Sequence, residues 1–244
     1  MKIPHSLRRY FSFYYEAKSG PLVWLKTTLS EYGRRKSIKR QNLNLKRYHH
    51  EILKAFTDAL KELGLPYWLD YGTLLGVIRD NSYVENDSDL DFGMYLHDYT
   101  PQITETLKRY GFKKEFDRLV DDGRTGRESV YSYKGVHTDI FFYAVQGEHM
   151  STFIAFPEKD MDYEAMVKKY GGMRVYRTTH PYMKTKHHHY KDLNVSIPED
   201  EHTYLISCYG EGYNIKDPHY DYVTFKAPNR QVLDDKFSVL VYDK

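Results

Sequence analysis

Asp87-Ser88-Asp89-Leu90-Asp91-Phe92-Gly93-Met94 alternates polar and apolar residues with the period of a β-strand. Successive side chains of a strand point to opposite faces, so Asp89, Asp91 and Gly93 share one face and Leu90, Phe92 and Met94 the other. The apolar face can enter a core. On the opposite face two carboxylates stand roughly 7 Å apart, at about 3.4 Å of rise per residue. Like charges this close repel unless a cation neutralises them, and carboxylate oxygens suit a hard divalent metal. A solvated acidic turn would explain the Asp and Ser content but not the Leu-Phe-Met alternation.

A third carboxylate repeats the pattern. Thr138-Asp139-Ile140-Phe141-Phe142 sets Asp139 in an otherwise apolar strand. An acid there is costly unless it is paired or ligates a metal. Upstream, Tyr67-Trp68-Leu69-Asp70-Tyr71 reads as a short strand, and Gly72-Thr73-Leu74-Leu75-Gly76-Val77-Ile78-Arg79 as a turn opening into a helix. Such a junction offers free N–H groups to an anion. Gly72 would let a phosphate approach the backbone, Thr73 would cap the helix or bind an oxygen, and Arg79 suits bidentate phosphate contact. Asp70, ending the first strand beside this turn, is an alternative base or ligand.

With these stretches in view the chain resembles the LicD family, which includes the fukutin-type proteins and belongs to the nucleotidyltransferase superfamily. The resemblance rests on Tyr71 to Arg79, Asp87 to Met94 and Thr138 to Phe141. A weaker part is Tyr204-Leu205 through Cys208-Tyr209-Gly210, followed by Pro218. Where the family usually has Trp-Asp-Asp-Asp, this chain has Asn86-Asp87-Ser88-Asp89, which keeps the outer carboxylates. The resemblance implies a metal-dependent phosphotransferase. It would move phosphocholine or a polyol phosphate from a CDP-activated donor to a sugar hydroxyl of a cell-surface glycan or lipid-linked glycan, releasing CMP. Asp89, Asp91 and Asp139 would hold two Mg2+ or Mn2+ ions and form the catalytic set, with Asp139 as ligand, base or both. Asp70, Gly72, Thr73, Arg79 and Asp87 would contact donor or phosphate. A metal-dependent glycosyltransferase using a nucleotide sugar, or a non-catalytic glycan-binding protein, are the alternatives.

At 244 residues, with 41% hydrophobic and 16% aromatic content, the chain can bury a sizeable core. No stretch nears the roughly 20 apolar residues of a membrane span, and no signal peptide is evident. A single cysteine, Cys208, excludes an internal disulfide framework. The expected setting is the cytoplasm, peripheral to the inner face of the membrane. The net charge of +2 hides an asymmetry: residues 1–50 hold 12 Lys/Arg against Glu16 and Glu31, a balance of +10, which leaves −8 for the rest. Interleaved Tyr10, Phe11, Phe13, Tyr14, Tyr15 and Trp24 suit an anionic membrane surface. An anionic polysaccharide or a solvated basic face fits equally, and nucleic acid fits less well.

The expected architecture is mixed α/β: a small nucleotidyltransferase-like mixed sheet backed by helices, in a domain over 45–244, with a basic, aromatic-rich helical extension over 1–44. Apolar residues recur at helical spacing from Leu45 to Leu63, and Gly64 then Pro66 stop the helix. Thr100-Pro101 opens another helix. A meander runs from Phe112 to Val145, and Glu199-Asp200-Glu201 begins a late helix. His187-His188-His189, flanked by Lys184 and Lys186, reads as an exposed basic loop, since three consecutive residues cannot face one ion. The 25 tyrosines could cage a quaternary ammonium, but their abundance does not select choline.

Overall fold

The acidic stretch is a strand, β2 (Asp89–Tyr95), with Leu90, Phe92 and Met94 buried and Asp89 and Asp91 half-buried. It lies in a computed structural model that describes residues 21–156, 158, 161–217, 220 and 227–242. Pro218 of the weaker motif and residues 1–20 of the basic arm lie outside the described residues. The chain divides into two compact units, Met1–Arg40 and Gln41–Lys244. No helix among the described residues is long and apolar enough to cross a membrane.

The apolar face of β2 meets helix α1 (Pro21–Leu63), whose Leu45, Ile52, Leu53, Phe56, Ala59 and Leu60 are buried at helical spacing. Phe56 stacks on Phe92 with ring centroids 3.6 Å apart, and each such fully buried side chain contributes roughly 1.5–3 kcal/mol. The helix stops where expected. Gly64 takes φ +65° and donates its N–H to the Lys61 carbonyl.

Strand β1 (Trp68–Leu69) pairs antiparallel with β2, Trp68 opposite Gly93. A Cβ at Gly93 would lie 2.1 Å from the Trp68 indole, so the absence of a side chain there lets Trp68 cross the strand. Beyond β1 come helix α2 (Tyr71–Leu75) and a π-helical turn, Gly76–Asp80. On its other edge β2 pairs parallel with β5 (Val136–Gln146), setting Asp91 opposite Asp139. Strands β3 (Lys113–Val120) and β4 (Gly126–Tyr133) complete the antiparallel meander leading to β5. Helix α3 (Gln102–Arg109) precedes them, one residue later than Pro101 suggested.

The mixed sheet extends further than the meander, to eight strands in the order β1-β2-β5-β4-β3-β10-β7-β6. The added members are β6 (His149–Ala155), β7 (Met173–Pro181) and β10 (Arg230–Val241), and helix α4 (Tyr163–Tyr170) lies between β6 and β7. A further pairing of β6 with the end of β5 closes β5-β4-β3-β10-β7-β6 into a ring, leaving β1 and β2 as its outgrowth. Strands β8 (Thr185–Tyr190) and β9 (Leu193–Pro198) form a separate hairpin, followed by helix α5 (Glu201–Tyr209), capped by Asp200. The three histidines therefore lie in a strand, not the loop expected of them. His187 and His189 are exposed and His188 half-buried, while Val195 and Ile197 of β9 are buried. Burial of the partner strand supplies the order that the polar histidine run lacks.

Candidate metal centre

Parallel pairing of β2 with β5 puts Asp91 and Asp139 on neighbouring strands, and Asp89 lies one pleat along. One carboxylate oxygen from each of the three comes within 4.8 Å of the others, a spacing at which they can share one metal ion. Asp139 Oδ1 is buried and has no hydrogen-bond partner among the described residues. A buried, unpaired carboxylate oxygen is costly unless a cation or proton satisfies it. The donor set fits a hard divalent ion, which prefers oxygen ligands.

Electrostatics points the same way. Burial raises the proton affinity of Asp91 well above the carboxylate range, and the charges of Asp89, Asp87, Asp139 and Asp70 raise it further. Asp139 is pushed up by burial, then by Glu128 and Asp89, against the opposing Arg118 guanidinium. Asp87 is raised by burial and by Asp89. These groups repel one another without a cation.

The upstream turn meets the acids, though not in the manner its residues suggested. Thr73 lies within α2, and its Oγ1 accepts the Asp91 N–H at 2.7 Å. The helix cap is Asp70 instead, which accepts from Tyr71 N at 2.8 Å. Tyr71, the first helical residue, takes φ +35°, a strained value for a residue with a side chain. A Cβ at Gly72 would lie 2.1 Å from Asp87 Oδ2, so the small residue there makes room for a carboxylate. Asp87 is further placed by Asn42 of α1, whose Nδ2 donates to the Asp87 and Glu85 carbonyls at 2.6 and 2.7 Å.

Arg79 is engaged elsewhere. Its Nε and Nη2 donate to the two Asp80 oxygens, both at 3.0 Å, and Nη1 donates to the Tyr213 carbonyl. The bidentate contact expected with phosphate is made with Asp80. Asp70 is fully buried, its carboxylate accepting from Tyr143 and Tyr204 hydroxyls at 2.7 and 2.8 Å. The structure thus gathers Asp89, Asp91 and Asp139 at one point, with Asp87 and Gly72 beside Asp91. Asp70 and Thr73 bear on the backbone beneath, and Arg79 is paired with Asp80.

Several neighbours escaped the sequence. Glu128 of β4 is 4% exposed and ion-paired to Arg118 of β3, directly opposite it. Both act electrostatically on Asp139. Tyr143 stands four residues beyond Asp139 on the same strand face, a spacing that could have flagged it. Glu128 in Gly126-Arg-Glu-Ser-Val130 could have been found as an acid in a β-rich run. Tyr204 was marked only as part of the weaker motif, with no role attached, and Asn42 and His180 are brought in by tertiary folding and carry no local signal.

A mixed sheet thus presents three convergent aspartates beside a strand–turn–helix unit. Residues 64–170, the stretch that holds the three aspartates, match the model of the nucleotidyltransferase domain of the LicD/FKTN/FKRP family. Among curated proteins, the ribitol-5-phosphate transferase FKTN of Mus musculus is 31% identical over 102 residues, 41% of this chain and 22% of the relative. The Homo sapiens FKTN is 29% identical over the same length and coverage. An uncharacterized protein of Rickettsia prowazekii is 23% identical over 139 residues, covering 54% of this chain and 50% of the relative. The chain thus matches about a fifth of the length of the FKTN relatives, 22%.

Proposed function

We propose that the chain is a metal-dependent phosphotransferase that moves a phosphorylated group from a CDP-activated donor to a sugar hydroxyl of a glycan and releases CMP. The observation that carries this reading is the convergence of Asp89, Asp91 and Asp139 within 4.8 Å, with Asp139 Oδ1 left unsatisfied. The family match and the FKTN relatives support a phosphotransferase-type function. The name of those relatives favours a polyol phosphate, such as ribitol 5-phosphate, over phosphocholine.

Asp89, Asp91 and Asp139 would hold Mg2+ or Mn2+, and two such ions would neutralise charge on the donor diphosphate and on departing CMP. The acceptor hydroxyl oxygen forms a bond to the phosphorus distal to cytidine. The phosphoanhydride bond to CMP breaks, and CMP leaves with the electron pair. The hydroxyl proton passes to Asp139, acting as general base. Residues 45–244 form the catalytic unit, and the basic residues 1–50 hold it to an anionic membrane surface bearing lipid-linked acceptors.

The test is a nucleotide-release assay with Mg2+ or Mn2+ and a glycan acceptor, offering CDP-ribitol, CDP-glycerol, CDP-choline and nucleotide sugars in turn. CMP release from a CDP donor is the expected result. UDP or GDP release from a nucleotide sugar would instead make the chain a glycosyltransferase.

A further inference from the structure

Beneath the acidic strand lies a buried polar cluster with no part in the transfer step as drawn above. Asp70 is 0% exposed. Its Oδ2 accepts from Tyr143 OH of β5 at 2.7 Å, and its Oδ1 from Tyr204 OH of α5 at 2.8 Å and from Tyr71 N at 2.8 Å. The two hydroxyls lie 3.0 Å apart, and Tyr204 stacks on His180 of β7 with centroids 4.6 Å apart. Three donors on one buried carboxylate form a satisfied network, and such networks hold their members in one arrangement.

That arrangement reaches Asp91 from both sides. The Asp70 N–H donates to the Asp91 carbonyl at 3.0 Å, and Thr73 Oγ1, one turn into the helix that Asp70 caps, accepts the Asp91 N–H at 2.7 Å. Both backbone polar groups of Asp91 are thereby tied to the unit that the Asp70 carboxylate anchors. The other end of the anchor, Tyr143, is on the strand of Asp139 and on its face, four residues along. One carboxylate therefore links the strands that carry Asp91 and Asp139.

We propose that Asp70 is a positioning residue, whose carboxylate, gripped by Tyr143 and Tyr204, fixes the spacing of Asp91 and Asp139 for the metal they share. The inference rests on the metal reading of the three aspartates and extends it to side chains that touch neither ion nor substrate. Partners behind metal ligands of this kind change metal affinity or activity by about 10–100-fold when removed. Asp70→Asn keeps the shape but exchanges an acceptor oxygen for a donor, so one tyrosine hydroxyl loses its acceptor. Tyr143→Phe and Tyr204→Phe each remove one donor and leave the carboxylate in place.

The experiment is titration of the full chain with Mn2+, followed by electron paramagnetic resonance of free and bound ion. Asp70→Asn is expected to weaken Mn2+ binding by about 10–100-fold and to change the bound-ion spectrum. Both Tyr→Phe variants shift in the same direction by less, and they carry the test should Asp70→Asn fail to fold. Leu107→Ala, a buried residue of α3 remote from these contacts, is the stability control: it lowers the melting temperature and leaves affinity and spectrum unchanged. Unchanged affinity and spectrum in the folded Asp70 and tyrosine variants overturn the proposal. Failure of the wild type to bind Mn2+ overturns it together with the metal reading. Mn2+ binding without CMP release from any CDP donor removes the donor assignment and leaves the positioning role standing.

Discussion

Burial and four neighbouring carboxylates oppose the ionisation of Asp91. Removing that charge should therefore help the metal-free fold while destroying the site. Asp91→Asn is expected to melt above the wild type in chelator, and to lose both divalent-ion binding and CMP release; scanning calorimetry and the release assay check the two halves. His180 gives a second expectation, of opposite origin. Burial lowers its pKa from 6.5 to about 3, so the folded chain keeps it neutral while the unfolded chain protonates it. The stability it allows is complete above pH 6.5 and is lost as pH falls toward about 3, by about 1.4 kcal/mol per pH unit. His180→Gln removes that slope. Denaturant midpoints of wild type and variant should therefore converge, or cross, as pH drops through this window. The carboxylates were legible in the sequence because Leu90, Phe92 and Met94 alternate with them, fixing which way they face. The tyrosine grip on Asp70 was not, because Tyr143 and Tyr204 lie 73 and 134 residues away in the chain.

The edge unit formed by β1, α2 and β2 depends on two missing side chains. Gly93 lets Trp68 cross β2, and a methyl group there would sit 2.1 Å from the indole. Gly93→Ala should cost about 1–3 kcal/mol, as overpacking of a dense core does, read from chemical denaturation. Thr73 joins α2 to β2 through the Asp91 N–H. Thr73→Val keeps the volume and strands a buried donor, at a cost of about 1–3 kcal/mol, and should weaken metal binding as well. The strand–turn–helix order of this unit followed from Gly, Thr and the apolar run. Thr73's partner did not, since a hydroxyl inside a helix gives no sign of the strand it will meet. Likewise β7 was hidden by its own irregularity: Val175, Thr178 and His180 are all buried, so inward residues change parity along the strand and the period of two is lost.

Across the whole molecule the fold serves to hold one acidic strand against another in register. The eight-stranded sheet was read only as far as β5, because the segments after it mix Arg, Thr and His with aromatics and pair over long distances. Ring closure through β6, β7 and β10 ties down the end of β5 beyond its pairing with β2, and α1 covers the apolar face of β2 through Phe56. What results is a sheet that brings three carboxylate oxygens within 4.8 Å of one another. The decisive measurement is CMP release from CDP-ribitol in the presence of Mn2+ and a glycan acceptor, run for the wild type with and without excess chelator and for the Asp89→Asn/Asp91→Asn double variant. CMP release by the wild type that stops in chelator, and none from the folded double variant, is the expected result. Release that survives chelation, or persists in the double variant, would contradict a metal-centred transfer site built on these aspartates.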